Sequence, residues 1–216
     1  MGLFIVAPQM RGQKLGTALW FERVELLKAR LHDGAAIGMD GVFAMQNFYS
    51  KGGFVFGHRD LRMEGTGKQF DFDNSRVSQV VAQDFDDLLA LDRQCFGFDR
   101  ATFLRQWITS PDSKTLKYAN ERTIAFGTIR KCAKGWKIGP LFAETVDAAH
   151  QVFRALNTVA ASDAIYLDIP EINLEALKLA EEYEMKECFG CARMYLGAPP
   201  DLPYDKIFGV TTFELG

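Results

Sequence analysis

Apolar residues along this chain fall into short unbroken runs and longer runs that repeat every three or four positions. Gly2 to Val6 (GLFIV) is a short run of strand type, closed by Ala7-Pro8. Leu15, Leu19, Arg23, Leu26, Leu27, Arg30 and Leu31 then keep helical spacing. Ala35 to Val42 reads as a buried strand, Phe43 to Lys51 as a short helix and Phe54 to Met63 as a strand. The polar stretch Glu64 to Asn74, with Gly65, Gly67, Asp71 and Asp73, reads as a linker. A second series begins with a strand at Arg76 to Val81 and a helix from Asp84, its N-cap, to Cys95, with Phe85, Leu88, Leu89 and Leu91 on one face. Next come a helix over Arg100 to Ile108 and strands over Thr115 to Tyr118, Thr123 to Lys131 and Trp136 to Phe142. A helix over Val146 to Ala160, a strand over Ile165 to Ile169 and a helix over Leu174 to Tyr183 follow. The series ends in two strands across a hairpin at Gly190 and a strand-like tail, Ile207 to Leu215.

The first strand feeds a turn, Arg11-Gly12-Gln13-Lys14-Leu15-Gly16, and then a helix. A helix start has unpaired N–H groups and partial positive charge, and Arg11 and Lys14 add full charge there. This is chemistry for holding a pyrophosphate. Neither G-x-x-x-x-G-K-[ST] nor G-x-G-x-x-G occurs, so the spacing is not that of a P-loop or a dinucleotide fingerprint.

The segment VAPQMRGQKLG resembles the central signature of the GNAT superfamily of acyl-CoA N-acyltransferases: a strand, V-x-P, R-G-x-G-x-G, then a long helix. Asn47 to Phe54 (NFYSKGGF) resembles the family's F-Y-x-K-x-G-F element at the expected distance. The sequence departs from the pattern at Lys14, where the family has Gly. The resemblance implies an α/β (α+β) fold, a mixed sheet flanked by helices. It implies acetyl-CoA as co-substrate, no metal, and acetyl transfer to an amine, a small molecule in this reading. It further implies that backbone groups at Phe4 and Val6 pair with the pantetheine arm. The amides of Arg11, Gly12, Gln13, Lys14, Leu15, Gly16 and Thr17 would cradle the pyrophosphate. Tyr49 would protonate the departing thiolate, a task suited to a phenol of pKa about 10. Half-buried packing is the other reading of Tyr49. Asp40 and water are both candidate bases.

The second series has the element order of a complete GNAT domain, and the first matches only the latter half of one. The implied division is 1–66, a half-domain truncated at its front; 67–75, a linker; and 76–216, a degenerate second domain. In that second domain the segment matching the phosphate turn, Ile138 to Thr145, has one glycine and no cation. Glu144 and Asp147 stand where phosphates would lie, and like charges repel strongly in a poorly hydrated site. Asp168 and Glu171 are either acidic groups for a cationic amine or ordinary solvated and capping residues. A half-domain exposes an apolar edge, so the two units' sheets are expected to pair around Leu3 to Val6, or the chain to form a homodimer there. The alternative function is a non-catalytic CoA-binding or interaction module.

Composition narrows this little further. A net charge of −3 supplies no basic field for nucleic acid, and no apolar run approaches a membrane span. The opening lacks the features of a secretory signal, so a reducing cytoplasmic setting is the default. Cys188 and Cys191 form a C-x-x-C, but no further ligands are spaced for zinc and no helix start lies beside them, so reduced structural thiols are expected. His32, His58 and His150 are scattered, none with a companion that makes a triad.

Overall fold

Residues 5–215, the part described by a computed structural model, begin with a single 3-10 turn at Pro8–Met10. Helix α1 (Leu15–Lys28), strand β1 (Ile37–Gly41), the short helix α2 (Gln46–Ser50) and strand β2 (Val55–Thr66) follow. Residues 67–76 hold neither helix nor strand, and their Phe70 and Phe72 pack against the larger core. The second series is β3 (Val77–Gln79), α3 (Phe85–Phe96), α4 (Ala101–Ile108), β4 (Ser113–Ala119), β5 (Thr123–Lys131), β6 (Trp136–Ala143), α5 (Val146–Val159), β7 (Ala164–Pro170), α6 (Leu174–Glu182), β8 (Lys186–Leu196) and β9 (Ile207–Gly209). The mixed α/β fold thus follows the expected order almost element for element.

All described strands belong to one sheet, in the order β1-β8-β2-β7-β6-β5-β4-β3, with β9 added against β6. The two series are therefore joined by hydrogen-bonded strands. β8, from near the end of the chain, lies antiparallel between β1 and β2, and β2 continues antiparallel along β7. Alternation assigns the faces. In β5, Ala125 and Ile129 enter the core under α5 and α6, while Phe126 joins Phe142 beneath α3 and α4. Thr145 caps α5 by accepting from the Ala148 N–H at 3.2 Å, and Asn173 caps α6 by accepting from Glu175 and Ala176.

Four expectations are corrected. Gly190 is not a hairpin turn: β8 runs unbroken through it, because a Cβ there would meet the Phe43 ring at 2.9 Å. A strand glycine here marks close approach rather than reversal. Helix α1 buries Trp20 and Val24, with Leu27 partly covered, and leaves Leu15, Leu19, Leu26 and Leu31 exposed. The stripe Trp20-Val24-Leu27 has equally good helical spacing, and the indole brings more apolar area to it. Gly2 to Phe4 lie outside the described residues, and Ile5 and Val6 are not in a strand; Ile5 is 77% exposed. Local bonds take this backbone instead, with the Arg11 Nε donating to the Val6 carbonyl at 2.9 Å. Among the described residues the two series accordingly join through β8 and β2, where an interior strand satisfies both its edges, and Ile5 and Val6 take no part in the joint.

Asp168 and Glu171 also differ from the acidic-pocket reading. Fully buried Asp168 on β7 accepts two bonds from Arg62 of β2, at 2.7 and 2.9 Å, and one from buried Lys137 of β6. Glu171 is paired with Arg59. Burial pulls the Lys137 ammonium below its ordinary range against the opposing pull of Asp168. Removing the carboxylate would strand that ammonium. Asp168→Asn is therefore expected to cost about 3–5 kcal/mol in denaturant unfolding, whereas Lys137→Met combined with Asp168→Leu should cost much less.

Candidate functional site

Two features lie on opposite faces of the sheet region formed by β1, β8 and β2. On one face, Ile37 and Met39 of β1 and Ala192 and Met194 of β8 pack under α1 and α2 with Trp20, Val24, Tyr49 and Phe54. The start of α1 has no side-chain cap, and its first intrahelical bond runs from Ala18 N to Lys14 O at 3.0 Å. The N–H groups of the first turn are thereby left for an external acceptor. Gly12 has φ +79° with open space where a Cβ would stand, and Lys14 has φ +61°. Lys14 thus occupies the left-handed region natural to glycine, at a cost of roughly 1–2 kcal/mol. Arg11, Gly12, Gln13, Lys14 and Leu15 are exposed, and the chain carries both cations into the turn. The matching point in the second series is closed: Thr145 caps α5, and Glu144 accepts two bonds from Arg122 at 2.7 and 3.0 Å. β6 and β7 pair in parallel only from Trp136 to Ile138, and beyond that β9 and Val210 fill the gap between them. Gly139 and Gly209 make this filling possible, since a Cβ at Gly209 would press Leu167 at 2.5 Å.

Tyr49 is 8% exposed; its ring lies 4.9 Å from the Trp20 ring and against Gly41. Burial, with Cys191 nearby, raises its phenol above the ordinary value, so the proton is firmly held at neutral pH.

The opposite face is polar. Asp40 stands opposite Arg193 and Arg193 opposite His58, with Gly38 opposite Tyr195 and Asp60 opposite Cys191. Arg193 donates to Asp40 at 2.5 Å and to the Tyr195 hydroxyl at 3.1 Å. Burial works against the Arg193 charge, but Asp40, with Tyr195 and Asp60, overrides it and keeps the guanidinium charged. Burial pushes Asp40 well above the usual carboxylate range despite Arg193, and Asp60 adds to the push. His58 Nε2 lies 3.3 Å from Asp60 Oδ1, and the His58 ring meets Tyr204 edge-on at 5.0 Å. One oxygen of Asp40 and one of Asp60 are buried without a hydrogen bond.

His58, Asp60, Arg193, Tyr195 and Tyr204 end a cavity of about 490 Å³ whose remaining wall is largely apolar, including Phe96, Phe98, Phe142, Leu202 and Ile207. Sequence reasoning singled out Asp40 but passed over His58 and Asp60. The signal was present: His-x-Asp within a strand puts both side chains on one face. Their partners Arg193 and Tyr204, at the far end of the chain, could not be read locally. Among the described residues no cluster of three or more His, Cys, Asp or Glu side chains is placed to hold a metal ion. No helix among them is long and apolar enough to cross a membrane.

The profile of the acetyltransferase (GNAT) domain family matches residues 88–209, the segment whose resemblance rested on element order alone. The chain is similar to holothin acyltransferase from Pseudoalteromonas sp. (strain SANK 73390), at 27% identity over 217 residues, covering 100% of this chain and 72% of that protein. Among solved structures, one described as an acetyltransferase from Pyrococcus horikoshii has a TM-score of 0.82 at 24% identity, covering 98% of this chain and 69% of that one. A GCN5-related N-acetyltransferase from Sphaerobacter thermophilus has a TM-score of 0.67 at 13% identity, covering 92% of this chain and 73% of that one.

The C-x-x-C pair is set apart from this chemistry by strand geometry. Three extended residues span about 10 Å, beyond disulfide reach. Cys188 is exposed, whereas burial beside Asp40 and Asp60 pushes the Cys191 thiol up to about 12. Buried Cys95 is likewise pushed up to about 12. Iodoacetamide at pH 8 should therefore alkylate Cys188 of the native protein well before Cys191 or Cys95, and all four cysteines only after unfolding, as mass spectrometry of peptides would show.

Proposed function

Since this chain belongs to the acetyltransferase (GNAT) family and carries out acyl transfer to an amine, we propose that acetyl-CoA seats at the turn before α1 and a small-molecule amine enters the cavity on the opposite face. The observation that carries this reading is the pairing of an open, uncapped helix start on one face with a polar-ended cavity on the other. The co-substrate supplies the thioester. Its pyrophosphate fits the residues present: free N–H groups of Leu15, Gly16 and Thr17, the open space at Gly12, and the charges of Arg11 and Lys14. The capped and acid-flanked start of α5 offers no such place, which supports a single donor site. That contrast also supports reading residues 76–216 as a degenerate second GNAT-like unit beside a first unit at 1–66.

Tyr49 is the proposed donor of the proton that the departing sulfur takes up. The acceptor nitrogen attacks the thioester carbon from the cavity side, the C–N bond forming as the C–S bond breaks, and the proton the nitrogen sheds passes to water or to Asp40, the two candidate bases. Reduced cysteines fit a reducing, cytoplasmic setting. The relative's name, holothin acyltransferase, is in keeping with a small-molecule acceptor.

Titration calorimetry with acetyl-CoA tests the donor site. Gly12→Glu should abolish binding by placing a carboxylate among the phosphates, while Gly139, on the closed side, does not enter the donor site. Tyr49→Phe should keep acetyl-CoA affinity but lower the rate of thiol release roughly 10²–10⁴-fold, the usual worth of general acid catalysis. A rate within twofold of the unaltered enzyme would leave Tyr49 a packing residue.

A further inference from the structure

The cavity also carries information about its occupant. Its volume, about 490 Å³, suits a compact small molecule, and its polar groups converge at one end. At that end Arg193 is engaged by Asp40 and Tyr195. Asp60, with a side chain only 3% exposed, faces His58 Nε2 at 3.3 Å and lies within electrostatic reach of Arg193 and Asp40, yet its Oδ1 makes no hydrogen bond of its own to a protein donor. A buried carboxylate oxygen without a donor is costly, and a ligand N–H would relieve it. The other wall is built from Phe96, Phe98, Phe142, Leu202, Ile207 and Val210. Such a wall gives sugar hydroxyls few partners. A ligand carboxylate would face Asp60 and find Arg193 already taken.

Resting on the reading that this cavity is the acceptor site, we propose that the acceptor is an amine with a flat or aromatic apolar body and no carboxylate, its nitrogen held by Asp60 beside His58. Asp60 selects the amine through charge and hydrogen bonding, and the aromatic wall selects the body. The class follows from the arrangement: one acid, set among His58, Arg193, Tyr195 and Tyr204 at the end of a cleft whose other wall is largely apolar, recognises one cationic or donor nitrogen.

Calorimetry in the absence of acetyl-CoA tests this directly, with 2-phenylethylamine, glucosamine and phenylalanine as probes. 2-Phenylethylamine should bind at least tenfold more tightly than either of the others. Asp60→Asn, which preserves shape, should weaken it at least tenfold while leaving acetyl-CoA affinity unchanged. Phe98→Ala at the exposed rim should weaken it several-fold without affecting the fold. Preference for glucosamine or phenylalanine, no binding of 2-phenylethylamine, or indifference of its affinity to Asp60→Asn would each overturn the proposal. Binding of 2-phenylethylamine with no thiol release on adding acetyl-CoA would instead sink the acyl-transfer reading of this cavity and leave the ligand class standing.

Discussion

The position of β8 is the constraint on which the remaining architecture depends. β1 and β2 are close in sequence, yet they are not neighbours; the strand between them comes from residues 186–196. An interior strand position must have its N–H and C=O groups met on both edges, so neither end of the chain can complete this part of the sheet without the other. The same insertion brings Arg193 between Asp40 and His58. The polar end of the cavity is therefore a direct product of strand order.

A second joint reinforces the first. Arg62, Lys137 and Asp168 lie on three adjacent strands, β2, β6 and β7, and the carboxylate between two cations is fully buried. Such a group adds little net stability over a well-packed apolar set, but it tolerates few alternative registers because any slip leaves a buried charge unmet. β9 plays a comparable part on the far side. It occupies the gap where β6 and β7 separate, and Arg100 helps hold the following residues by bonding both Asp92 and Thr211. One half of the molecule thus fills its own cleft, while the other half keeps an open helix start and a cavity.

The cavity's chemistry follows from this asymmetry. Charged groups that would be solvated on an open strand are held in an enclosed, mostly apolar space, where Arg193 stays charged and Asp40 resists ionisation. Low local polarity sharpens each of these preferences. The turn before α1 is the opposite case. It is exposed, and its shape rests on backbone geometry at Gly12 and Lys14.

Element order, the glycine-bearing turn before α1 and the membership of Tyr49 in a helix ending at glycines were legible in the sequence, because each depends on local spacing, capping and backbone freedom. The closed state of the second turn was legible too, since Glu144 and the lack of cations are matters of composition. What only the tertiary structure decided involves residues far apart in the chain. Gly190 looked like a turn until Phe43 was found lying on it, and Trp20 displaced the leucine stripe as the buried face of α1. Asp168 looked available until Arg62 and Lys137 claimed it. His58 and Asp60 became a site only when β8 and the segment around Tyr204 closed over them, and the pairing of strands distant in sequence has no local signature.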